Sequence, residues 1–212
     1  CVIVHIFYMN LPFIYRIHEY PKEEKIKGFL SFVQTLGYTV PGNIKDTSPK
    51  SMQKLISFLS DKKEFKILSS LLLRNMQKAV YSPQNLGHYG LASKCYTHFT
   101  SPIRRYPDLQ IHRIIKENLN GKINDKRRER LAVIVDEAAK QSSEMERLAE
   151  DAERETDKYK IVEYMQDKIG ETFDGIISGV TSWGIYVELP NTIEGMISVA
   201  SLRDGYYIYD EN

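Results

Sequence analysis

The chain has 212 residues, 42% hydrophobic and 27% charged, with a formal net charge of +1; this suffices for one large domain or two small ones and excludes a disordered chain. Its two cysteines, Cys1 and Cys95, exclude a disulfide framework, show no metal-ligand spacing and fit a reducing cytoplasm. The apolar opening from Cys1 to Ile17 is interrupted by His5, Asn10, Pro12 and Arg16, well short of the ~18 apolar residues of a membrane span; it reads as a buried helix leading into an extended strand.

Pro21-Lys22-Glu23-Glu24 opens a helix with a proline and early acids, and Ile26, Phe29, Leu30, Val33 and Leu36 give it one apolar face. Gly37 ends it. Ser48-Pro49 starts a second helix with Met52, Leu55, Ile56 and Leu59 inward, and Asp61 with Glu64 reads as the capping box of a third, running through Phe65, Leu68, Leu72 and Met76. These three helices are scaffold and are assigned no chemistry.

The next helix is the first to carry chemistry. Thr100 or Ser101 can cap it, Pro102 fits its first position, Arg104 and Arg105 follow within a turn, and Pro107 is expected to bend it. Free N–H groups at such a start favour an anion, and Arg104 can grip a phosphate through two parallel charge-assisted hydrogen bonds that a lysine cannot copy. Spacing alone leaves a second reading open, an arginine pair salt-bridged to nearby carboxylates.

From about Arg127 to Gln166 there is neither Gly nor Pro, and Leu131, Ala138, Met145, Ala152 and Tyr159 recur every seven residues. The pattern predicts one very long helix, or two nearly continuous ones, roughly 60 Å in length. Alanine-rich seam positions and the gaps at Gln141 and Glu155 favour packing against the same chain over a coiled-coil dimer. After Gly170 the period becomes two: Thr172 to Leu189 reads as strand, tight turn and strand, followed by Ile193-Glu194-Gly195-Met196-Ile197-Ser198.

Charge is unevenly spread. Residues 101–130 carry nine Lys/Arg against four Asp/Glu, whereas residues 136–157 carry three against nine. A basic segment beside an acidic helix suits a held phosphate backbone; two solvated faces that partly neutralise each other remain the alternative.

His88-Tyr89-Gly90-Leu91-Ala92, the run from Thr100 through Ser101-Pro102-Ile103-Arg104-Arg105-Tyr106-Pro107 to Asp108, and His112-Arg113 together resemble the RNase II / RNase R family of hydrolytic, processive 3′-5′ exoribonucleases. The likeness runs in order from Asn10–Glu19 through Ala152-Glu153-Arg154-Glu155 and beyond, nearest to the bacterial RNase R branch. The segment after Gly170 resembles the opening strands of an S-one-type OB barrel, an RNA-binding module. The resemblance implies an α+β chain. Residues 1–169 would form the mostly helical C-terminal half of an RNB catalytic domain, and residues 170–212 the first strands of an incomplete OB barrel. The chain is expected to be an internal piece of a longer protein, and the half-barrel to be incomplete or disordered.

By the same resemblance Arg104 matches the arginine that contacts the scissile phosphate. Arg105 and Tyr106 are expected to support or contact RNA, and Arg113 to add to a basic wall. Glu153 and Arg154 resemble a pair on the long helix near the end of the RNA channel; taken alone they are an ordinary surface pair. Trp183 and Tyr186 flank a glycine-containing turn and can stack on bases, with core packing the competing account for Tyr186. Ser198 departs from the common barrel pattern, where a histidine often helps to bind RNA. His112 is assigned a structural role, and Tyr89 reads as a core tyrosine ahead of a base-stacking one.

The family binds magnesium through clustered aspartates, and the eleven Asp residues here are scattered. By the resemblance the metal ligands lie upstream of Cys1, with Mg²⁺ in the full-length enzyme, and no catalytic metal in this chain and no cutting by the chain alone are expected. Single-stranded RNA is the expected partner of a cytoplasmic monomer, with no membrane and no protein partner. Two rivals remain: a non-catalytic RNA-binding relative that has lost the aspartates, and a helical interaction scaffold.

Overall fold

A computed structural model describes residues 11–40, 47–203 and 205–210. The chain divides into two compact units, residues 1–149 and 150–212. The helix expected within residues 1–10 lies outside the described residues; the strand after it, β1, is Tyr15–Ile17.

In the first unit, helix α1 (Glu23–Thr35) has two acids in its first turn and buries Ile26, Phe29, Leu30 and Val33. Gly37 stops it with φ +85, donating to the Gln34 carbonyl at 2.9 Å while the Tyr38 N–H reaches back to Val33 at 3.3 Å; a side chain at this left-handed position would be strained. Helix α2 (Pro49–Leu59) is capped by the Ser48 hydroxyl, which accepts from the Ser51 N–H. Helix α3 (Phe65–Asn75) starts later than its sequence predicts, with Glu64 at the cap position and no side-chain cap bond. The expected Asp61–Glu64 capping box does not form, because the Glu64 carboxylate accepts the Tyr38 hydroxyl at 2.5 Å. Ile26, Phe29, Leu30 and Val33 of α1 meet Met52, Leu55 and Leu59 of α2, Leu68 and Leu72 of α3, and Tyr89, in one apolar cluster.

Strand β2 (Val80–Ser82) pairs antiparallel with β1, Arg16 opposite Tyr81. Helix α4 (Tyr106–Leu119) follows, and here the sequence expectation needs correction. The helix starts neither at Thr100 nor at Ser101, and Pro102 is not in it. Pro102–Arg104 form turns, with the Arg104 and Arg105 N–H groups both directed to the Ser101 carbonyl at 3.3 and 3.0 Å. Arg105, extended at φ −125 and ψ 113, is the cap residue. Pro107 therefore sits in the first turn, where its missing N–H costs no intrahelical bond and bends nothing.

Helix α5 (Asp125–Gln166) is one continuous element of 42 residues. Asn124 caps it, its side-chain oxygen accepting the Arg127 N–H at 2.8 Å. Only Leu131, Val135, Ala138 and Ala139 of α5 are buried. They join Phe13, Ile14, Tyr81, Ile111 and Ile114 in a second apolar cluster, which ties β1, β2, α4 and the first half of α5 together. The heptad stripe thus packs against the chain only over its first two turns of the repeat; Met145, Leu148 and Tyr159 further along are exposed.

The second unit holds an antiparallel sheet in the order β3-β4-β5, formed by Ile176–Thr181, Gly184–Glu188 and Glu194–Ser198. A bulge at Ser178 interrupts the β3–β4 register between Ile177 and Gly179. Gly184 is required by close approach of β5: a Cβ there would lie 2.5 Å from the Ile197 carbonyl oxygen. Ile176, Ile177 and Val180 are exposed on β3, and Met196 and Ile197 on β5. No helix among the described residues is long and apolar enough to cross a membrane.

The second cluster sets a stability expectation. Ile114 is fully buried and Leu148 is 60% exposed, so Ile114→Ala should cost about 2–5 kcal/mol in urea unfolding, and Leu148→Ala less than about 0.5 kcal/mol. Equal losses at the two positions would show that the second cluster does not carry the fold.

Candidate functional site

The site is built around a buried carboxylate. Asp108, third residue of α4, has no solvent exposure, and its Oδ2 accepts the Ser101 N–H at 2.8 Å and the Arg105 Nη2 at 2.8 Å. An acid near a helix start usually caps its own helix. Asp108 instead reaches back seven residues and fastens the loop before α4.

The two arginines therefore divide their work. Arg105 is paired with Asp108, which is the salt-bridge alternative left open by the spacing. Arg104 is exposed, and its side chain has no hydrogen bond or ion pair among the described residues. Its backbone is held by the turn at Ser101, so the loop presents a guanidinium whose donors are uncommitted. Tyr106 is 48% exposed at the helix start. Arg113, two turns on, is exposed and donates to the Gln110 side-chain oxygen at 3.4 Å. His112 stacks on Phe99 at 4.3 Å with Nε2 2.8 Å from the Phe99 carbonyl oxygen, the structural role expected of it. Tyr89 is a buried core residue whose hydroxyl donates to the Thr47 carbonyl.

Behind the loop runs a ladder of rings that the sequence did not reveal. His18 and His88 are 5.2 Å apart, His88 and Tyr96 5.1 Å, Tyr96 and His98 5.8 Å, and His98 and Tyr81 5.6 Å, all edge to face. The Tyr81 hydroxyl lies 2.8 Å from Nδ1 of His98. Arg16 covers the Tyr81 ring at 4.7 Å and pairs with Glu146 of α5 at 2.5 Å. Burial, with the positive charges of Arg105 and Arg16 nearby, holds His98 down to about 4. Burial likewise lowers His18, with Arg16 adding to the shift, and His88, with His18 and Arg16 adding. Gly90 belongs to this packing, since its N–H donates to Nδ1 of His18 at 3.1 Å and a Cβ there would lie 2.9 Å from that nitrogen.

The remaining sequence candidates lie in the second unit. Glu153 and Arg154 are exposed on α5, and Arg154 pairs with Asp151 three residues earlier, a surface contact worth under about 1 kcal/mol. Trp183, 60% exposed in the β3–β4 turn, donates its indole N–H to the Tyr186 hydroxyl at 3.2 Å.

The described residues do not fit a magnesium site. No group of three or more His, Cys, Asp or Glu among the described residues is placed to hold a metal ion, and the carboxylate closest in sequence to Arg104, Asp108, has one oxygen committed to Ser101 and Arg105.

The RNB domain family model matches residues 1–121. The chain belongs to the RNB family. The S1 RNA binding domain model matches residues 166–211. Ribonuclease R 1 of Lactococcus lactis subsp. lactis is 44% identical over 202 residues, 95% of this chain and 25% of that protein. Ribonuclease R of Aquifex aeolicus is 42% identical over 211 residues, 99% of this chain and 30% of that protein. The apo structure of Mycoplasma genitalium RNase R aligns with a TM-score of 0.90 at 30% identity, covering 99% of this chain and 33% of that one. That RNase R has also been solved in complex with ribose-methylated single-stranded RNA and with double-stranded RNA. The chain thus spans between 25% and 33% of the length of these RNB relatives.

Two measurements test this site. Asp108→Ala leaves the Arg105 charge, with a side chain only 21% exposed, without its counter-ion, and should cost about 3–5 kcal/mol of stability; a loss below about 1 kcal/mol would mean the loop is held by other contacts. The histidine ladder sets a pH dependence. The folded-state value of His98, about 4, lies below the ~6.5 of an unfolded histidine, so its contribution is fully present above pH ~6.5 and is lost as the pH falls toward about 4. One proton gives a slope of at most about 1.4 kcal/mol per pH unit, to which His18 and His88 add in the same direction. His98→Gln should remove its share of the slope between those limits, and an unchanged profile in a folded variant would assign the acid loss to other groups.

Proposed function

We propose that this chain is part of a hydrolytic, processive 3′-5′ exoribonuclease that degrades RNA to nucleoside monophosphates, and that Arg104 supplies its cationic contact to the scissile phosphate. One observation carries the reading: of the arginine pair, Arg105 is spent on the buried Asp108, and Arg104 is exposed without a partner on the loop that Asp108 fastens. A planar guanidinium held this way can donate two parallel hydrogen bonds to phosphate oxygens. As negative charge grows on those oxygens in the transition state, a donor already in place stabilises it without reorganising.

The match to ribonuclease R proteins over 95% and 99% of the chain supports an RNA substrate and this reaction class. We place residues 1–169 in the catalytic domain and 170–212 in the RNA-binding barrel, with single-stranded RNA as partner. Arg105 acts by orienting the Arg104 loop, Tyr106, Arg113, Glu153 and Arg154 lie along the RNA, and the enzyme is a cytoplasmic monomer. The Mg²⁺ ligands belong to residues outside this chain, which holds the phosphate contact without them. A non-catalytic RNA-binding relative that keeps the phosphate contact but has lost the aspartates is the second reading.

Arg104→Ala in the full-length enzyme should leave folding and most RNA affinity intact and lower the single-turnover rate by about 10²- to 10³-fold. Arg104→Lys should rescue little, because an ammonium lacks the planar fork. A single-turnover rate within threefold of wild type would refute the assignment, and a full-length wild type unable to release nucleotides would favour the non-catalytic reading.

Trp183 and Tyr186 hold substrate without meeting the reacting phosphate. Replacing both by Ala should weaken RNA binding about ten-fold or more, since stacking contributes ~1–3 kcal/mol per base, and should leave the single-turnover rate at saturating RNA unchanged. An unaltered dissociation constant in a folded double variant would return both rings to barrel packing.

A further inference from the structure

A cleft of about 470 Å³ lies between α4 and the first half of α5, lined by Tyr106, Gln110 and Arg113 on one side and Ile134, Glu137 and Gln141 on the other. Its volume falls within the ~300–1,000 Å³ of small-ligand sites. At one end Arg127 and Glu117 bond to each other through two hydrogen bonds of 2.7 and 2.6 Å, so both charges there are internally satisfied.

The polar groups along the rest of the cleft are not. Gln110 is only 5% exposed, and the one side-chain hydrogen bond it has among the described residues is the long one of 3.4 Å that its oxygen accepts from Arg113. Its amide NH₂ has no partner among the described residues. Gln110 lines the cleft, so its amide donors are open to a ligand acceptor there. Glu137 and Gln141 are exposed on the opposite wall and likewise have no partner among the described residues.

From this arrangement we infer that the α4–α5 cleft is a subsite for one ribonucleotide unit, with Gln110 and Glu137 as its recognition residues. This rests on the RNA reading above and extends it to residues that reading does not use. Tyr106 offers a half-exposed ring face on which a base stacks. Gln110 donates through its amide to acceptors on the base edge. Arg113 meets a phosphate oxygen. Glu137, an acceptor without donors, takes hydrogen bonds from ribose hydroxyls, which a deoxyribose lacks at the 2′ position. The same chemistry fits a nucleotide within a strand and a free nucleoside monophosphate.

The test uses the full-length protein without divalent metal, fluorescence anisotropy with a labelled oligoadenylate and its deoxy counterpart, and competition by adenosine 5′-monophosphate. Glu137→Gln should weaken ribo-oligomer binding about five-fold and leave deoxy-oligomer binding unchanged. Gln110→Leu should weaken both about equally, and where that variant does not fold, Glu137→Gln at the exposed wall decides. Competition by the monophosphate would make the occupant a free nucleotide, and its failure, with the Glu137 effect present, a unit of the strand. If wild type binds RNA and folded Glu137→Gln keeps its ribo-to-deoxy ratio, the subsite is overturned and the RNA reading stands. If wild type binds neither oligomer nor monophosphate, both fall together.

Discussion

The geometry of the first unit depends on the place of one carboxylate. Removed from water entirely, the Asp108 side chain must be compensated at short range, and it takes the Ser101 N–H and the Arg105 guanidinium for that purpose. Those two bonds decide where α4 begins and convert Ser101–Arg105 from a helical turn into a clamped loop. They also sort two adjacent and chemically identical arginines into one that is paired with a carboxylate and one that faces solvent. Asp108 acts through the loop it holds.

An aromatic layer lies close enough to this loop for the Arg105 charge to act on it. His98 senses the charges of Arg105 and Arg16, and Tyr81, its hydrogen-bond partner, lies under the Arg16 guanidinium that pairs with Glu146. Ser143 of α5 adds to the same layer by accepting the Tyr81 N–H at 2.9 Å. The imidazoles must stay neutral for this packing to hold, so the layer combines tight geometry at neutral pH with a built-in weakness toward acid.

Much of the fold was legible because it is local. Pro21 with early acids, Ser48-Pro49 and Gly37 are end signals that act within one turn, and the positions of α1 and α2 follow from them. The missed starts share a different cause. Glu64 is taken by Tyr38, 26 residues away, and Asp108 by a loop seven residues back, so in both places a side chain that could cap its own helix has a better partner elsewhere. Arg104 could be singled out as a residue type in a motif, but its lack of a partner is visible only once Arg105 is seen to be occupied. The Arg16–Glu146 pair, separated by 130 residues, and the placing of Gln110 and Glu137 in the lining of one cleft leave no trace in periodicity or spacing.

The uneven burial of α5 has a consequence for its internal motion. Its 42 residues form a single hydrogen-bonded rod, yet its buried anchors all lie between Leu131 and Ala139, and the whole stretch from Asp151 to Tyr164 is exposed. A helix held by tertiary packing opens only with the core it packs against, whereas an exposed helix opens at the cost of its own backbone bonds. Amide protons along this one rod should therefore grade from slow exchange near Val135 to fast exchange beyond Asp151, so that a helix uniform in geometry is two segments in lifetime.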